Sequence, residues 1–212
     1  MPHPRLPIAT LIVILVLVRF GSAAVAAETS NQDWPCVQRK VAVLTSAQFW
    51  DGPQAEGLSQ WHDHAAIAQL IPTLTSRRVP IEDAAAAIAA FATQQPPDKR
   101  DEALTLLFAG LLQTVNNERT VVMNGIERFQ QRQRGRAHEI ERQGTEIERL
   151  KERAVREEGA RAELATAEDK YKWDVRVFTE RQQSLPLACE IPVLIEQRLF
   201  ALGREIRSHM RD

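Results

Sequence analysis

The sequence predicts an all-α fold: a helical bundle from which a long antiparallel, coiled-coil-like helical hairpin extends. Three features of the chain indicate it. No segment alternates apolar and polar residues with a period of two for long enough to form a convincing strand. Apolar residues recur at spacings of three and four, the period of a helix, through 104–129. Beyond residue 129 charged residues dominate and leave only a thin apolar seam, which is typical of long solvated helices.

Residues 1–27 have the order of a secretory signal peptide. Arg5 supplies a positive charge, an uncharged apolar run follows at 8–18, and small residues precede a cleavage point after Ala27. The apolar run is shorter than the roughly 20 residues that span a bilayer, which argues against the alternative of a retained membrane anchor. We therefore expect an exported protein, periplasmic or secreted, without stable membrane insertion after cleavage.

Residues 28–57 are predicted to form an extended N-terminal arm that lies over the helices, and 58–212 to form the helical domain. Pro35, Gly52, Pro53 and Gly57 interrupt the arm, because prolines and glycines break regular structure. We expect one short turn within the arm, at 46–50.

The helical domain is expected to begin with two short helices. The first starts at Ser59 as its N-cap and stops at about Ile71, because Pro72 follows. The second starts after Pro80 and ends before Pro96. Acidic residues occupy its first turn, where the helix dipole favours them.

A long third helix is predicted to follow, with Asp98 as its cap and an apolar stripe that reaches Phe129. The charged part of the hairpin is predicted at about 134–184. Its thin seam recurs at intervals of seven, three and four, as the a and d positions of a coiled coil do: Ile140, Ile147, Leu150 and Ala154.

The hairpin is predicted to turn at Gly159, and the alternative is a compact bundle that turns near Gly135 or Gly144. On the return path a last helix is expected to start near Cys189, with Pro192 in its first turn, where proline is tolerated. This last helix would pack back along the apolar half of the long helix.

Cys36 and Cys189 are the two cysteines of the sequence. In an oxidising compartment an even pair is most simply a disulfide, and two cysteines allow a single connectivity. The chain has no C-x-x-C motif, which argues against a redox-active pair. The sequence therefore predicts a structural disulfide that ties the arm to the helical domain where the bundle gives way to the hairpin.

The stretch WHDH at 61–64 is the one local cluster of metal-ligand residue types, with His62, Asp63 and His64 as candidate ligands. Histidines two apart on a helix point about 200° away from each other, whereas zinc motifs place them three or four apart. Polar surface residues are therefore the favoured interpretation. A metal site completed by Asp51, in a non-helical segment, is the alternative.

The sequence contains none of the motifs that would indicate an enzyme. It has no G-x-S-x-G elbow, no glycine-rich phosphate loop and no pair of Glu-x-x-His motifs. Its 27 basic and 28 acidic residues give a net charge of −1, so there is no basic field for nucleic acid. We expect a non-enzymatic protein that needs no cofactor and does not bind nucleic acid.

Trp173, Arg176, Glu180 and Arg181 interleave with the apolar seam of the return helix. Either they form a partner-binding surface at the base of the hairpin, or, in the favoured interpretation, Trp173 and Phe178 pack on the outgoing helix and the others are solvated. The expected function is that of a structural or protein-interaction module, which binds a protein partner or self-associates through the charged hairpin. The alternative is a bundle that binds a metal or a small molecule between the first two helices and the long one.

Four stretches of the chain together resemble a group of exported, all-helical bacterial proteins. They read DWPCVQRKV, LTLLFAGLLQTVNNER, ERQQSL and LACEIPVLIEQRLFAL. The similarity covers most of the chain that would remain after signal cleavage. It implies a periplasmic or secreted protein and brings no activity or ligand with it.

Overall fold

The computed structural model describes residues 33–211, which form an all-α fold with no strand among them. The predicted signal peptide, 1–27, and the start of the predicted arm lie outside the described residues. The elements are two short 3₁₀ helices, Ser46–Gln48 and Gln60–Asp63, and the helices α1 (Ala65–Thr75), α2 (Ile81–Gln94), α3 (Arg100–Ala154) and α4 (Glu158–Ser208). No helix in 33–211 is both long and apolar enough to cross a membrane.

Helices α3 and α4 form the predicted antiparallel hairpin. They contain 55 and 51 residues, so each is about 80 Å long at 1.5 Å per residue. Side-chain pairs fix their antiparallel alignment: Arg153 Nη1 lies 3.3 Å from Glu163 near the turn, and Arg119 Nη2 lies 2.6 Å from Glu196 far from it. The hairpin prediction is confirmed.

The hairpin turns at 155–157, slightly before the predicted position. Backbone N–H groups of Arg156 and Glu157 both donate to the carbonyl of Arg153, which closes the end of α3. Gly159 lies inside the first turn of α4, and the alternative turns at 135 and 144 lie inside α3. A glycine costs a helix interior only about 1 kcal/mol, and contacts with the neighbouring helix offset that amount.

The last helix does not begin at Cys189, because α4 runs without a break through Pro186 and Pro192. Each proline lacks the N–H that would bond to the carbonyl four residues earlier, a loss of about 3 kcal/mol in an isolated helix. Pro192 is buried in the packed part of α4, and this burial stabilises the helix across the missing hydrogen bond.

Three other predicted helix ends differ. Helix α1 starts at Ala65 and not directly after Ser59, because 60–63 form a separate 3₁₀ helix. Helix α1 passes through Pro72 and ends at Thr75, since the extra turn places the fully buried Leu74 in the core. Helix α3 starts at Arg100 with Lys99 at the N-cap position, so Asp98 does not cap it. Helix α2 begins after Pro80 and ends before the proline pair, as predicted.

The main core lies between α1, α2, the first part of α3 and the last part of α4. Every residue of α3 from 103 to 112 is buried, because neighbours cover this stretch on all sides. The arm adds Trp50, which stacks on Phe108 with ring centroids 4.4 Å apart. Arg198 ties the α1–α2 connection to α4 by donating to the carbonyls of Leu74, at 2.6 Å, and Val79, at 2.9 Å.

A smaller apolar cluster lies farther along the hairpin. Trp34 of the arm is buried against Met123 and Ile126 of α3, with Leu185 and Ala188 of α4 packed beside them. We call the section of α3 and α4 around this cluster the neck, since the irregular arm crosses the hairpin there.

Candidate functional site

The disulfide predicted between Cys36 and Cys189 is present at the neck. The two Cα atoms are 5.6 Å apart, and the bond joins residues separated by 153 positions. Beside it the side-chain amide of Gln38 donates to the carbonyl of Cys189, and Trp34 Nε1 donates to the carbonyl of Gln38 at 2.7 Å. The arm is therefore attached to α4 at one place by the disulfide and by one hydrogen bond, and the Trp34 bond holds Gln38 in position within the arm.

Ion pairs attach the same part of the arm to α3. Asp33 pairs with Arg134 Nη1 at 2.6 Å, and Lys40 pairs with Glu127. These contacts lie on both sides of the disulfide in the arm, so the arm is held across the hairpin along several residues.

Arg119 is buried where α3, α4 and the arm meet, with only 2% of its surface exposed. Its Nη2 donates to Glu196 Oε1 at 2.6 Å and to the carbonyl of Val41 at 3.1 Å. Its Nε and Nη1 are buried without a hydrogen-bond partner among the described residues. The side chain thus links three elements, and Glu196 compensates its charge.

An apolar groove lies next to the disulfide. Its volume is about 400 Å³, and it is lined by 35–38 of the arm and by α4 from Leu185 to Gln197. Val37 is fully exposed and Leu194 is 48% exposed beside it. The groove is open to solvent, so its apolar walls are available for contact.

Beyond the neck the hairpin consists of α3 and α4 alone. The hydrogen bonds described for 135–180 all run within or between these two helices and the turn that joins them. From Arg134, the outermost residue paired with the arm, to the turn at 155–157, this free section is about 30 Å long at 1.5 Å per residue.

Asp174 is the most connected side chain of the free section. It accepts from Lys170 at 2.8 Å, from Gln143 at 2.8 Å and from Arg136 at 3.1 Å. The hydrogen bond from Lys170, followed by that from Gln143, holds the pKa of Asp174 below its ordinary value of 3.8. The ionised carboxylate therefore helps to join the two helices.

The predicted partner residues lie on the outer face of α4. Trp173 is 59% exposed, so the favoured interpretation, in which it is buried against α3, is wrong for this residue, whereas Phe178 is partly buried. The guanidinium of Arg176 lies 5.3 Å from the centroid of the Trp173 ring, and its Nε donates to Glu180 at 3.0 Å. The structure brings these three side chains together, and Arg181 is exposed next to Glu180.

Two further apolar residues of this face were missed in the sequence. Leu187 and Leu194 are 66% and 48% exposed. They follow Trp173 and Glu180 at intervals of seven residues, and this spacing is visible in the sequence. A new helix predicted to start near Cys189 would end this seven-residue repeat before Leu194, so the repeat becomes evident only when α4 is continuous.

The candidate metal ligands do not form a metal cluster. His62 and Asp63 belong to the second 3₁₀ helix, and His64 follows it. Nowhere in 33–211 do three or more His, Cys, Asp or Glu side chains lie close enough together to hold a metal ion. Asp51, the proposed fourth member, lies 3.8 Å from Arg207, and the ring of His62 stacks on Trp61.

A cleft of about 430 Å³ lies between α1, α2 and the start of α3. Phe91 and Leu106 give it apolar walls, while His64, Lys99 and Glu102 give it polar or charged ones. This is the place where the sequence puts an alternative ligand site.

Comparison of the chain with protein-family models, with curated proteins and with solved structures finds no match. The function is therefore inferred from the geometry of the molecule. The resemblance to exported bacterial proteins stays a prediction.

Proposed function

We propose that this chain is an exported, periplasmic protein without enzymatic activity that binds a protein partner through the outer face of α4. The observation that carries the proposal is the exposure of Trp173, 59% of whose surface is accessible, on a part of the hairpin that no other described element covers. Trp173 lies on the same face as the exposed Leu187 and Leu194, and apolar side chains exposed along one face mark interaction sites. Tryptophan and arginine are also the residues most enriched at the energetic centres of interfaces.

The surroundings of Trp173 support binding of a protein. Arg176 packs over the ring and pairs with Glu180, so the aromatic group is held in one orientation before a partner arrives. A preorganised side chain loses less entropy on binding. The neighbouring charges on the hairpin are mostly paired with each other, as in Lys172–Asp169, which leaves the apolar group as the main feature of this face.

The disulfide supports the exported location. Disulfides persist in oxidising compartments such as the bacterial periplasm and are rare in the cytosol. The bond joins Cys36 to Cys189 across 153 positions, in the way expected of a structural disulfide.

Site-specific crosslinking in the exporting host tests the interaction. A photoreactive amino acid at Thr179, which is exposed on α4, is expected to give a discrete adduct that disappears in the Trp173→Ala variant. The matched control carries the same amino acid at Val121, 68% exposed on α3, and should give no such adduct. Identical adducts at both positions, or an adduct that survives Trp173→Ala, would contradict the proposal.

A second candidate function is binding of a small molecule in the cleft between α1, α2 and α3. The combination of apolar walls with His64, Lys99 and Glu102 favours an amphipathic or charged ligand over a purely apolar one. Native mass spectrometry of the protein purified from its host tests this. A bound mass lost in the His64→Ala/Lys99→Ala variant would support the candidate, and a ligand-free protein would argue against it.

A further inference from the structure

Helix α4 carries two seams on opposite faces. The inner seam packs toward α3 and includes Tyr171, Phe178, Leu185, Pro192 and Leu199, spaced seven residues apart. The outer seam is Trp173, Glu180, Leu187 and Leu194, also spaced seven apart and all exposed. We use the name outer seam for these four residues.

The geometry of a helix explains why the two seams lie on opposite faces of α4. Seven residues make nearly two turns, so members of one series stay on one face. The two series are offset by two residues, which corresponds to about 200° around the helix. The outer seam therefore points away from α3 along the whole length from Trp173 to Leu194.

We propose that the outer seam is the docking surface for a second copy of this chain, which packs antiparallel along α4 and forms a symmetric dimer. This inference rests on the proposed function and names the partner. The two-fold axis passes between Gln183 and Ser184, so that Trp173 of one copy lies against Leu194 of the other, and the reverse.

Charge complementarity selects this arrangement. With the axis between 183 and 184, Arg176 of one copy faces position 191 of the other, so it lies next to Glu190. The same contact forms a second time by the two-fold symmetry. Both side chains are exposed on the outer face. A parallel, in-register dimer would instead place Arg176, Glu180 and Glu190 each opposite its own copy, and like charges at an interface are unfavourable.

The apolar groove beside the disulfide gains an occupant in this dimer. Leu194 lines the groove together with Val37 of the arm. Trp173 of the second copy reaches Leu194 at the rim of the groove, where its ring covers apolar side chains that are exposed in a single copy. Aromatic side chains bury roughly 150–250 Å² each when they are covered in this way.

The length of the seam predicts how strong the dimer is. From Trp173 to Leu194 it extends about 32 Å, and a helix presents a strip about 10 Å wide. That strip is smaller than the roughly 800 Å² per partner of a standard interface. We therefore expect a dimer that dissociates on dilution and forms at micromolar or higher concentration.

Sedimentation analysis of the disulfide-bonded protein over a range of concentrations tests the proposal. Trp173→Ala and Leu194→Ala are each expected to weaken dimerisation about tenfold or more, since both lie at the proposed contact. The control Val121→Ala removes an apolar side chain that is 68% exposed on α3 and should leave dimerisation unchanged. All three positions are exposed, and far-UV circular dichroism will check that the fold is retained.

A charge exchange tests the antiparallel alignment. Arg176→Glu and Glu190→Arg should each weaken the dimer, and the double variant should restore most of the lost affinity because the pair is re-formed between copies. In addition, Gln183→Cys lies next to the axis and should form a disulfide between copies, whereas Thr145→Cys, exposed on α3, should not.

A protein that stays monomeric at all concentrations, or a dimer indifferent to both Trp173→Ala and Leu194→Ala, overturns the inference. If such a monomer still gives the Trp173-dependent adduct with another protein in the host, the partner is a different chain and the proposed function stands. If neither the dimer nor the adduct forms, both proposals are overturned.

Discussion

Arg119 shows how one residue connects three parts of this molecule. It lies on α3, binds Glu196 on α4 and holds the backbone of the arm at Val41. Its side chain is 2% exposed, whereas that of Glu196 is 32% exposed. Loss of the pair would therefore destabilise the buried arginine charge more than the glutamate charge, because water can still solvate the carboxylate.

Two variants at this pair should differ in stability for that reason. Glu196→Gln leaves the buried guanidinium without a counter-charge, and we expect it to lower the free energy of unfolding by about 2 kcal/mol. Arg119→Met fills the same space without a charge and leaves Glu196 partly solvated, so it should cost less. Urea denaturation followed by circular dichroism measures both values. A larger loss for Arg119→Met would show that the hydrogen bond to the arm matters more than the charge.

At the scale of elements, α3 and α4 tolerate glycine and proline because the two helices pack against each other along much of their length. Gly203 of α4 lies where the arm passes close to the helix, since a Cβ atom there would be 2.6 Å from the carbonyl oxygen of Phe49 and 3.1 Å from the ring of Phe108. Gly135 of α3 has open space around its position. The same residue type is thus required at one site and incidental at the other.

Alanine at these two glycines should have opposite effects. Gly135→Ala gains helix propensity and is expected to stabilise the protein by up to about 1 kcal/mol. Gly203→Ala gains the same propensity but forces the arm backbone away, and overpacking of this kind costs roughly 1–3 kcal/mol. Thermal melts of the two variants will compare them. Equal shifts in the same direction would mean that the arm does not pack closely on α4.

Asp174 gives the free part of the hairpin a dependence on pH. Its folded-state pKa lies below the ordinary value of 3.8, chiefly because Lys170 and Gln143 donate to it. A depressed carboxyl pKa contributes stability above the unfolded-state pKa, and this contribution is lost as the pH falls through the folded-state value. The hairpin should therefore weaken in acid, below about pH 4.

The Asp174→Asn variant tests this dependence. At neutral pH this variant should melt at a lower temperature than the parent, because the neutral Asn side chain cannot form ion pairs with Arg136 and Lys170. The difference should shrink as the pH falls from 3.8 through the lower folded-state pKa, because the parent side chain is then protonated and has lost its charge. Asp169→Asn, a change at an exposed pair with Lys172, is the control and should alter the melt little. A difference that stays constant with pH would rule out the carboxylate charge as its source.

At the scale of the whole molecule, the disulfide connects the irregular arm to α4, at the neck of the hairpin that α3 and α4 form. It closes a loop between Cys36 and Cys189, 153 positions apart. In the chain-entropy model a loop of this length constrains the unfolded state by up to about 5 kcal/mol. The helices themselves are built from contacts that do not include the bond.

Loss of the disulfide should lower stability without loss of helix. The Cys36→Ser/Cys189→Ser variant is expected to unfold with about 2–5 kcal/mol less free energy than the parent, while its far-UV circular dichroism at low temperature stays the same. The parent under reducing conditions serves as the control and should match the variant. Coincident melts of the oxidised parent and the variant would show that the bond does not stabilise the fold.

Features marked by a regular pattern along the chain, or by a single possible pairing, were predictable, and features that depend on the environment created by distant residues were not. The hairpin, the start of α2 and the pairing of Cys36 with Cys189 follow from periodicity, proline position and cysteine count. The ends assigned at Pro72 and near Cys189 were wrong, because buried side chains beyond them stabilise the helix. Nothing local marks Arg119 as buried, since its environment comes from the arm and α4.

The same distinction applies to the candidate site. The shared helix face of Trp173, Arg176 and Glu180 can be read from their spacing, since spacing along a helix sets which side chains lie together. In the folded protein this face points away from α3, and α4 continues past Leu194. Neither fact could be predicted, because periodicity identifies a face of a helix, whereas the packing of the other elements determines which face is covered.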